Sequence, residues 1–262
     1  MTSVQEAVAA RRAPAMGGFN LTLLGIEIRR VLRNRRTLIF AIVMPIFFYW
    51  LFGVSQKYDN HLYGRGNVSA FVMISMALYG AVLATTSGGA MVSIERAQGW
   101  SRQLRVTPLS PVAYVVAKML TAMVLGATSV AAVYIVGVAT GKPSMSVGLW
   151  IATGLSVWVG SLVFAAFGLF MGYLVPTENV MQILGFVLVL LAFAAGLFIP
   201  LTQFGHGLQE FAKFTPLWGL NLLVHAPLRG NFDIVWLINA VAWLAIFTGG
   251  AVWRFRKDTA RV

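Results

Sequence analysis

The segment from Val68 to Ser93 reads VSAFVMISMALYGAVLATTSGGAMVS and contains no charged side chain. An α-helix rises about 1.5 Å per residue, so about 20 apolar residues cross the roughly 30 Å of hydrocarbon in a bilayer. Helices in the cores of soluble proteins seldom stay this apolar for this long. The segment therefore predicts a transmembrane helix.

The rest of the chain repeats this pattern and predicts an all-α polytopic membrane protein. Of its 262 residues, 58% are hydrophobic and 11% are charged, whereas a soluble domain carries about 25% charged residues. A half-apolar segment at about 200–232 predicts an outer re-entrant element of one or two short helices. The six predicted spans are about 37–55, 68–93, 112–140, 149–175, 181–199 and 233–253.

The N-terminal part divides into two predicted segments. Residues 1–18 are small and polar, which predicts a disordered cytoplasmic leader before a single transmembrane domain at 19–262. Residues 19–36 predict an amphipathic helix lying in the membrane interface, because leucine, isoleucine and valine recur on one helical face. Its basic face carries Arg29, Arg30, Arg33 and Arg36. No apolar run follows Arg11 and Arg12, so a cleavable signal peptide is not expected.

The net charge of +12 is concentrated at the two chain ends and in the loop after the second span. Lysine and arginine are enriched in cytoplasmic loops, where anionic headgroups attract them. The pattern predicts a protein of the inner (plasma) membrane with both termini cytoplasmic. No stretch interleaves basic and aromatic residues as nucleic-acid surfaces do, so membrane lipids are the expected partners of this charge.

Several kinds of chemistry are not expected of this chain. It has no cysteine, which excludes disulfides, thiolate catalysis and cysteine metal sites. It has no phosphate-binding loop of the Gly-x-x-x-x-Gly-Lys-Ser/Thr kind. His61, His206 and His225 fall in outer segments and are expected to be solvated rather than metal-bound. We predict no catalytic residue, no metal site and no cofactor in this chain.

The loop after the second span reads SIERAQGWSRQLRVTPLSP over residues 93–111. Trp100 and Leu104 share one helical face, while Arg102 and Arg105 share another. Such a short helix on the cytoplasmic surface would offer apolar and charged side chains to a soluble partner. The alternative is an ordinary basic cytoplasmic loop.

This loop resembles that of the permease subunits of type-2 ATP-binding-cassette (ABC) exporters. The resemblance extends over nearly the whole chain, from the interfacial helix through the spans. This chain departs from the family pattern at Ala97, where an acidic residue is usual, and at Trp100, where threonine is usual. The matching residues are Glu95, Arg96, Gly99, Leu104, Pro108, Leu109, Ser110 and Lys118.

The resemblance implies that the loop is a coupling helix docking on a separate ABC ATPase subunit. It further implies two ATPase subunits, which bind ATP and Mg, and a second permease copy or homologue. The implied docking residues are Glu95, Arg96, Gly99, Trp100, Arg102, Leu104, Arg105 and Pro108.

The expected cargo is a hydrophobic or amphipathic molecule such as a drug, an antibiotic or another natural product. A polysaccharide or lipid-linked glycan is the alternative cargo. A membrane-embedded lipid-modifying enzyme, or a channel, is an alternative of another class. The Gly168-x-x-x-Gly172 pair predicts close helix packing, either within one subunit or at a dimer interface.

Overall fold

The computed structural model of the protein describes residues 18–55, 60–99, 109–175 and 180–260. The predicted leader lies almost wholly outside these ranges. The first elements are α1 (Leu21–Leu32), α2 (Arg35–Tyr49, continued by a π-turn at Trp50–Val54), β1 (Leu62–Tyr63), β2 (Gly66–Asn67), α3 (Val68–Ala90), α4 (Val92–Ala97) and α5 (Pro111–Thr140). The later ones are α6 (Val147–Gly160), α7 (Leu162–Leu174), α8 (Val180–Ala194), a 3-10 turn (Leu201–Gln203), α9 (His206–Ala212), α10 (Pro216–Arg229) and α11 (Ile234–Ala260).

The all-α polytopic architecture predicted from the sequence is confirmed. Within the described ranges, four helices are long and apolar enough to cross a membrane: Val68–Ala97, Val112–Thr140, Val147–Leu174 and Ile234–Lys257. Two further apolar helices, Leu38–Val54 and Val180–Ala194, are shorter. The total of six spans stays a prediction.

Helix α3 lies at the centre of the bundle. The most apolar window of Val68–Ala97 is 78% buried, against 22% for Ile234–Lys257. Helix α7 approaches α3 closely because α7 has a glycine at the contact. A methyl group added at Gly168 of α7 would come within 2.7 Å of the Cα atom of Thr86 in α3. A methyl group added at Gly172 would come within 3.2 Å of the Ala90 Cα atom. The Gly-x-x-x-Gly pair therefore packs within the subunit and not at a dimer interface.

Two element boundaries differ from those expected. The predicted interfacial helix ends early, at Leu32, and a new helix begins at Arg35. The predicted fourth span is divided at Ser161, whose hydroxyl donates to the Trp158 carbonyl at 2.7 Å. A serine that bonds back to a carbonyl of the preceding turn often bends a helix.

The segment before the last span contains the two short helices α9 and α10. The β1–β2 hairpin, which the sequence analysis did not predict, packs on the end of α10. There the Arg65 amide donates to the Leu228 carbonyl at 2.7 Å. Gly64, with φ of +59°, lies directly against the same carbonyl, so a side chain there would collide with it.

Candidate coupling site

A buried ion network joins α1, α4 and α5 at the end of α3. Lys118 Nζ lies 2.8 Å from Glu27 Oε2 and 2.7 Å from Glu95 Oε1. The Tyr114 hydroxyl donates to Glu95 Oε2 at 2.8 Å. Arg30 completes the group, 2.9 Å from Glu27 Oε2 and in direct contact with Glu95. Three separate parts of the chain thus share one cluster of charges.

The cluster is electrically balanced, with two carboxylates facing two cations. Glu27 and Glu95 are each 6% exposed and Lys118 is 4% exposed. Removing such charges from water costs several kcal/mol per ion unless each finds partners of good geometry. Here each carboxylate has two cationic neighbours, and Glu95 has a phenol as well. The arrangement gives each of these charges a partner and ties α1 to α4 and α5.

Arg30 closes the network on its more exposed side, its side chain being 39% exposed. Partial burial lowers its pKa, but the charges of Glu95 and Glu27 together outweigh that effect. The net result is a pKa raised above the ordinary arginine value. Arg30 therefore remains a cation throughout the physiological range and holds both carboxylates.

Arg96, next along α4, reaches the end of another helix. Its guanidinium donates to the Tyr173 carbonyl at 2.9 Å and to the Gly172 carbonyl at 3.3 Å. It also lies 5.5 Å from the centre of the Tyr173 ring. The last carbonyls of a helix have no partner within it, so a cation placed there satisfies them. Glu95 and Arg96 together connect α4 to three helices.

Gly99 ends the charged turn that follows α4. Its φ of +79° lies in the left-handed region, and its amide donates to the Arg96 carbonyl at 3.0 Å. Left-handed backbone is costly for residues with a Cβ atom and free of that cost for glycine. The chain can therefore turn sharply here.

The chain matches the family model described as ABC-2 type transporter over residues 20–226, from the start of α1 into α10. The chain belongs to the ABC-2 type transporter family. It is also 28% identical over 225 residues to the protein named "Putative transport permease YvfS" of Bacillus subtilis (strain 168), covering 84% of this chain and 90% of that relative. The expected type-2 ABC permease subunit is thereby confirmed.

The predicted coupling residues of this ABC-2 type transporter have different surroundings. Glu95 and Arg96 contact other helices of the same chain, whereas Gly99 lies at the end of the described turn. Arg29 of α1 and Arg33, directly after the end of α1, are exposed, and Arg36 lies in the first turn of α2. The remaining predicted docking residues, which lie outside the described ranges, are Trp100, Arg102, Leu104, Arg105 and Pro108.

Three network residues were not predicted as site residues. Glu27 lies in the amphipathic helix α1 and is buried there with Val31. Lys118 is buried between two carboxylates. Tyr114 was not singled out. The available signal was Lys118 itself, because a lysine within an apolar span requires a partner.

His225 is buried in α10, and the expectation that it is solvated was wrong. Its Nδ1 lies 2.8 Å from the Asn221 carbonyl, and its Nε2 lies 3.2 Å from the Ser75 hydroxyl. Its ring packs against that of Phe71 at a tilt of 39°, with centroids 4.4 Å apart. Burial lowers the pKa of His225 to about 4, and the positive charge of Arg229 also lowers it. The imidazole is therefore neutral in the folded protein.

By contrast, His61 and His206 are exposed, as expected.

Acidification should consequently weaken the segment around α10. An unfolded histidine binds a proton below a pKa of about 6.5, whereas folded His225 resists protonation until about pH 4. The stabilisation of the folded protein by neutral His225 is complete above pH 6.5 and is lost as the pH falls towards 4, with about 2 kcal/mol lost at pH 5.

Thermal unfolding of the purified protein at pH 7 and pH 5 measures this loss. His225→Gln should reduce the difference between the two pH values, whereas His206→Gln should preserve it. An unchanged pH difference in His225→Gln would contradict the assignment.

Proposed function

We propose that the protein is the membrane subunit of an ATP-driven exporter, in which the turn after α4 transmits movement from a separate ATPase subunit. The observation that carries the proposal is the continuity of the central helix α3 with α4, whose Glu95 and Arg96 contact α1, α5 and α7. A force applied at Gly99 would reach four helices through these contacts.

The mechanism is a rigid-body switch between two packings of the bundle. Packed cores do not deform continuously, so small displacements at one end favour one discrete arrangement over another. Glu95 forms ion pairs with Arg30 of α1 and with Lys118 of α5. A tilt of α4 would therefore move these helices together. ATP would be bound and hydrolysed entirely in the partner, with this chain supplying the transport path.

The expected cargo is hydrophobic or amphipathic, and the distribution of charge supports it. In the segments Val68–Ala97, Val112–Thr140 and Val147–Leu174, the charged side chains are Glu95, Arg96 and Lys118, all at the end that carries the ion network. An ion-coupled transporter would need ionisable groups along its path. Export of a polysaccharide or lipid-linked glycan is the alternative to be separated by transport assays with candidate cargoes.

Aromatic side chains from three spans meet on the other half of the bundle. Phe198, just after α8, lies 5.7 Å from Phe48 of α2 and 5.1 Å from Tyr79 of α3 between ring centroids. Such a surface suits apolar or ring-containing molecules. Together with the charge distribution, it favours the amphipathic cargo over a strongly hydrophilic one.

The assembly we propose contains two permease chains and two ATPase chains in the inner membrane. The basic residues of α1 and of the C-terminal part of α11 support placing both chain ends on the cytoplasmic side. The ion network would then lie near the cytoplasmic surface, where the turn at Gly99 can reach an ATPase.

The coupling assignment is tested by Gly99→Val with Gly141→Val as a matched control. Both glycines have positive φ, +79° and +64°, and among the described residues a Cβ atom at either position would meet nothing within 4 Å. The backbone strain of about 1–3 kcal/mol is therefore similar, but Gly141 ends α5 at the opposite end of the bundle. We expect Gly99→Val to reduce both export in cells and capture of the ATPase by the purified permease.

Gly141→Val should retain both properties. Equal membrane levels of the two variants would establish that folding is not the cause of the difference. Full export and full ATPase capture by Gly99→Val would remove the coupling role from this turn, as would equal losses in both variants.

A further inference from the structure

A cavity of about 790 Å³ lies at the end of α3 opposite the ion network. It is bounded by the π-turn after α2, the first turns of α3, the segment after α8, and α10. Its apolar lining includes the aromatic side chains of Phe52, Tyr63, Phe71 and Phe198. Cavities of roughly 300–1,000 Å³ with apolar walls and few polar groups are typical of small-molecule sites.

Two polar side chains of α10 line this cavity with unused hydrogen-bonding capacity. Asn221 is 4% exposed; its Nδ2 donates to the Ala195 carbonyl at 2.8 Å. Its Oδ1 has no hydrogen-bond partner among the described residues. Arg229 lies with its guanidinium 5.9 Å from the ring centres of both Tyr63 and Phe71. Its buried Nε likewise has no hydrogen-bond partner in the described part of the chain.

These groups define what the cavity can accept. A buried donor of a guanidinium is costly when unpaired, and carboxylate, sulfate or phosphate oxygens are its strongest partners. The unpaired Asn221 oxygen requires a donor such as a hydroxyl, amine or amide. The rings between these two groups favour an apolar body. A purely apolar molecule would leave both polar atoms unsatisfied, and a small inorganic anion would leave the aromatic wall unfilled.

We propose that this cavity binds an amphipathic organic anion, with its acidic group on Arg229, a hydrogen-bond donor on Asn221 and its apolar body against the aromatic lining. Such a molecule is either a transported compound or an anionic lipid of the surrounding leaflet, since both present the same chemistry. Binding does not depend on the coupling role of α4; only the identification of the occupant as cargo rests on the proposed function.

The test measures binding of cis-parinaric acid, a fluorescent fatty acid, to the full-length permease in phosphatidylcholine nanodiscs without any ATPase. Energy transfer from the protein's tryptophans reports occupancy. The methyl ester of the same compound keeps the apolar body and removes the charge. Loss of a charge-assisted bond should weaken binding about tenfold or more. We therefore expect the ester, on the unmodified protein, to bind at least that much more weakly than the acid.

Arg229→Gln should weaken binding of the acid by a similar factor and leave binding of the ester nearly unchanged. Arg65→Gln is the matched control, because Arg65 is an exposed arginine on the adjoining hairpin that does not line this cavity. It should bind the acid as the unmodified protein does. Equal binding of acid and ester to the unmodified protein would overturn the proposal without any variant. Equal weakening by both arginine substitutions would overturn it as well.

Repeating the titration in nanodiscs that contain phosphatidylglycerol separates the two sources of the anion. Competition by this lipid, absent in Arg229→Gln, would identify an anionic lipid as the occupant. Undiminished binding of the fatty acid would identify a transported amphipath, and either result retains the anion site. Full export and ATPase capture by Gly99→Val would overturn the coupling proposal and leave these binding results intact, so the two proposals fail separately.

Discussion

Replacing Lys118 with methionine should destabilise the protein by about 3–5 kcal/mol, because it leaves two buried carboxylates sharing one partly exposed arginine. Methionine has nearly the length of lysine, so the change removes charge and hydrogen bonds while retaining most of the packing. Thermal unfolding in detergent should show an apparent melting temperature lower by on the order of 10 °C. Transport should fall with it, since α1 would lose its connection to α4 and α5.

Lys213→Met provides the matched control. Lys213 forms an ion pair of 2.6 Å with Glu210, but both side chains are exposed, at 49% and 66%. Exposed pairs typically contribute less than about 1 kcal/mol, so this substitution should hardly change the melting temperature. The two variants differ in burial and not in chemistry.

A combined variant tests whether unpaired charge is the cause. Adding Glu27→Gln and Glu95→Gln to Lys118→Met removes the two carboxylates that the lysine neutralised. At least half of the lost thermal stability should return, because neutral amides cost less to bury than carboxylates. If Lys118→Met resembles Lys213→Met, or if the combined variant is no more stable than the single one, the network does not stabilise the fold.

Gly168→Val should destabilise the contact between α3 and α7 by about 3 kcal/mol or more, at the upper end of the effects of overpacking. The first side-chain atom would collide with the backbone of Thr86, which cannot move aside as a flexible side chain could. The two helices would therefore have to separate along the most buried helix of the bundle. A lower melting temperature and a smaller yield of folded protein are the expected measurements.

Gly249→Val is the control for the intrinsic effect of replacing a helical glycine. A Cβ atom at Gly249, in α11, would meet nothing within 4 Å in the part of the chain that the structure describes. Valine is slightly better tolerated than glycine in a helix, so stability should be unchanged or a little higher. If both variants lose stability equally, the close approach of α3 and α7 is not what requires glycine at 168.

The helical membrane character of this protein followed directly from its sequence, because hydropathy and helical length are local properties. The segment 68–93 could be recognised from its own composition without knowledge of its neighbours. The loop at residues 93–111 was likewise recognisable, since the spacing of its residues is a local signal. The family could be identified from the spacing of residues in that loop.

The ion network could not be derived in this way, because its members are distant in the chain. Lys118 pairs with Glu27 across 91 residues and with Glu95 across 23. The helical pattern of α1 placed Glu27 on the polar side of an interfacial helix. The pattern could not reveal that this side faces a buried lysine. His225 illustrates the same limit, since its burial depends on Phe71 and Ser75 of a distant helix.

By itself the sequence determined that the chain is a helical membrane protein and which loop carries the family motif, since both depend on residues close together along the chain. Only the tertiary structure decided that Glu95 binds Lys118 and Arg30, that Gly168 meets the backbone of Thr86, and that Asn221 and Arg229 line one cavity. The physical reason is that burial and charge pairing depend on distances in space. Those distances are set when helices far apart in the chain pack together.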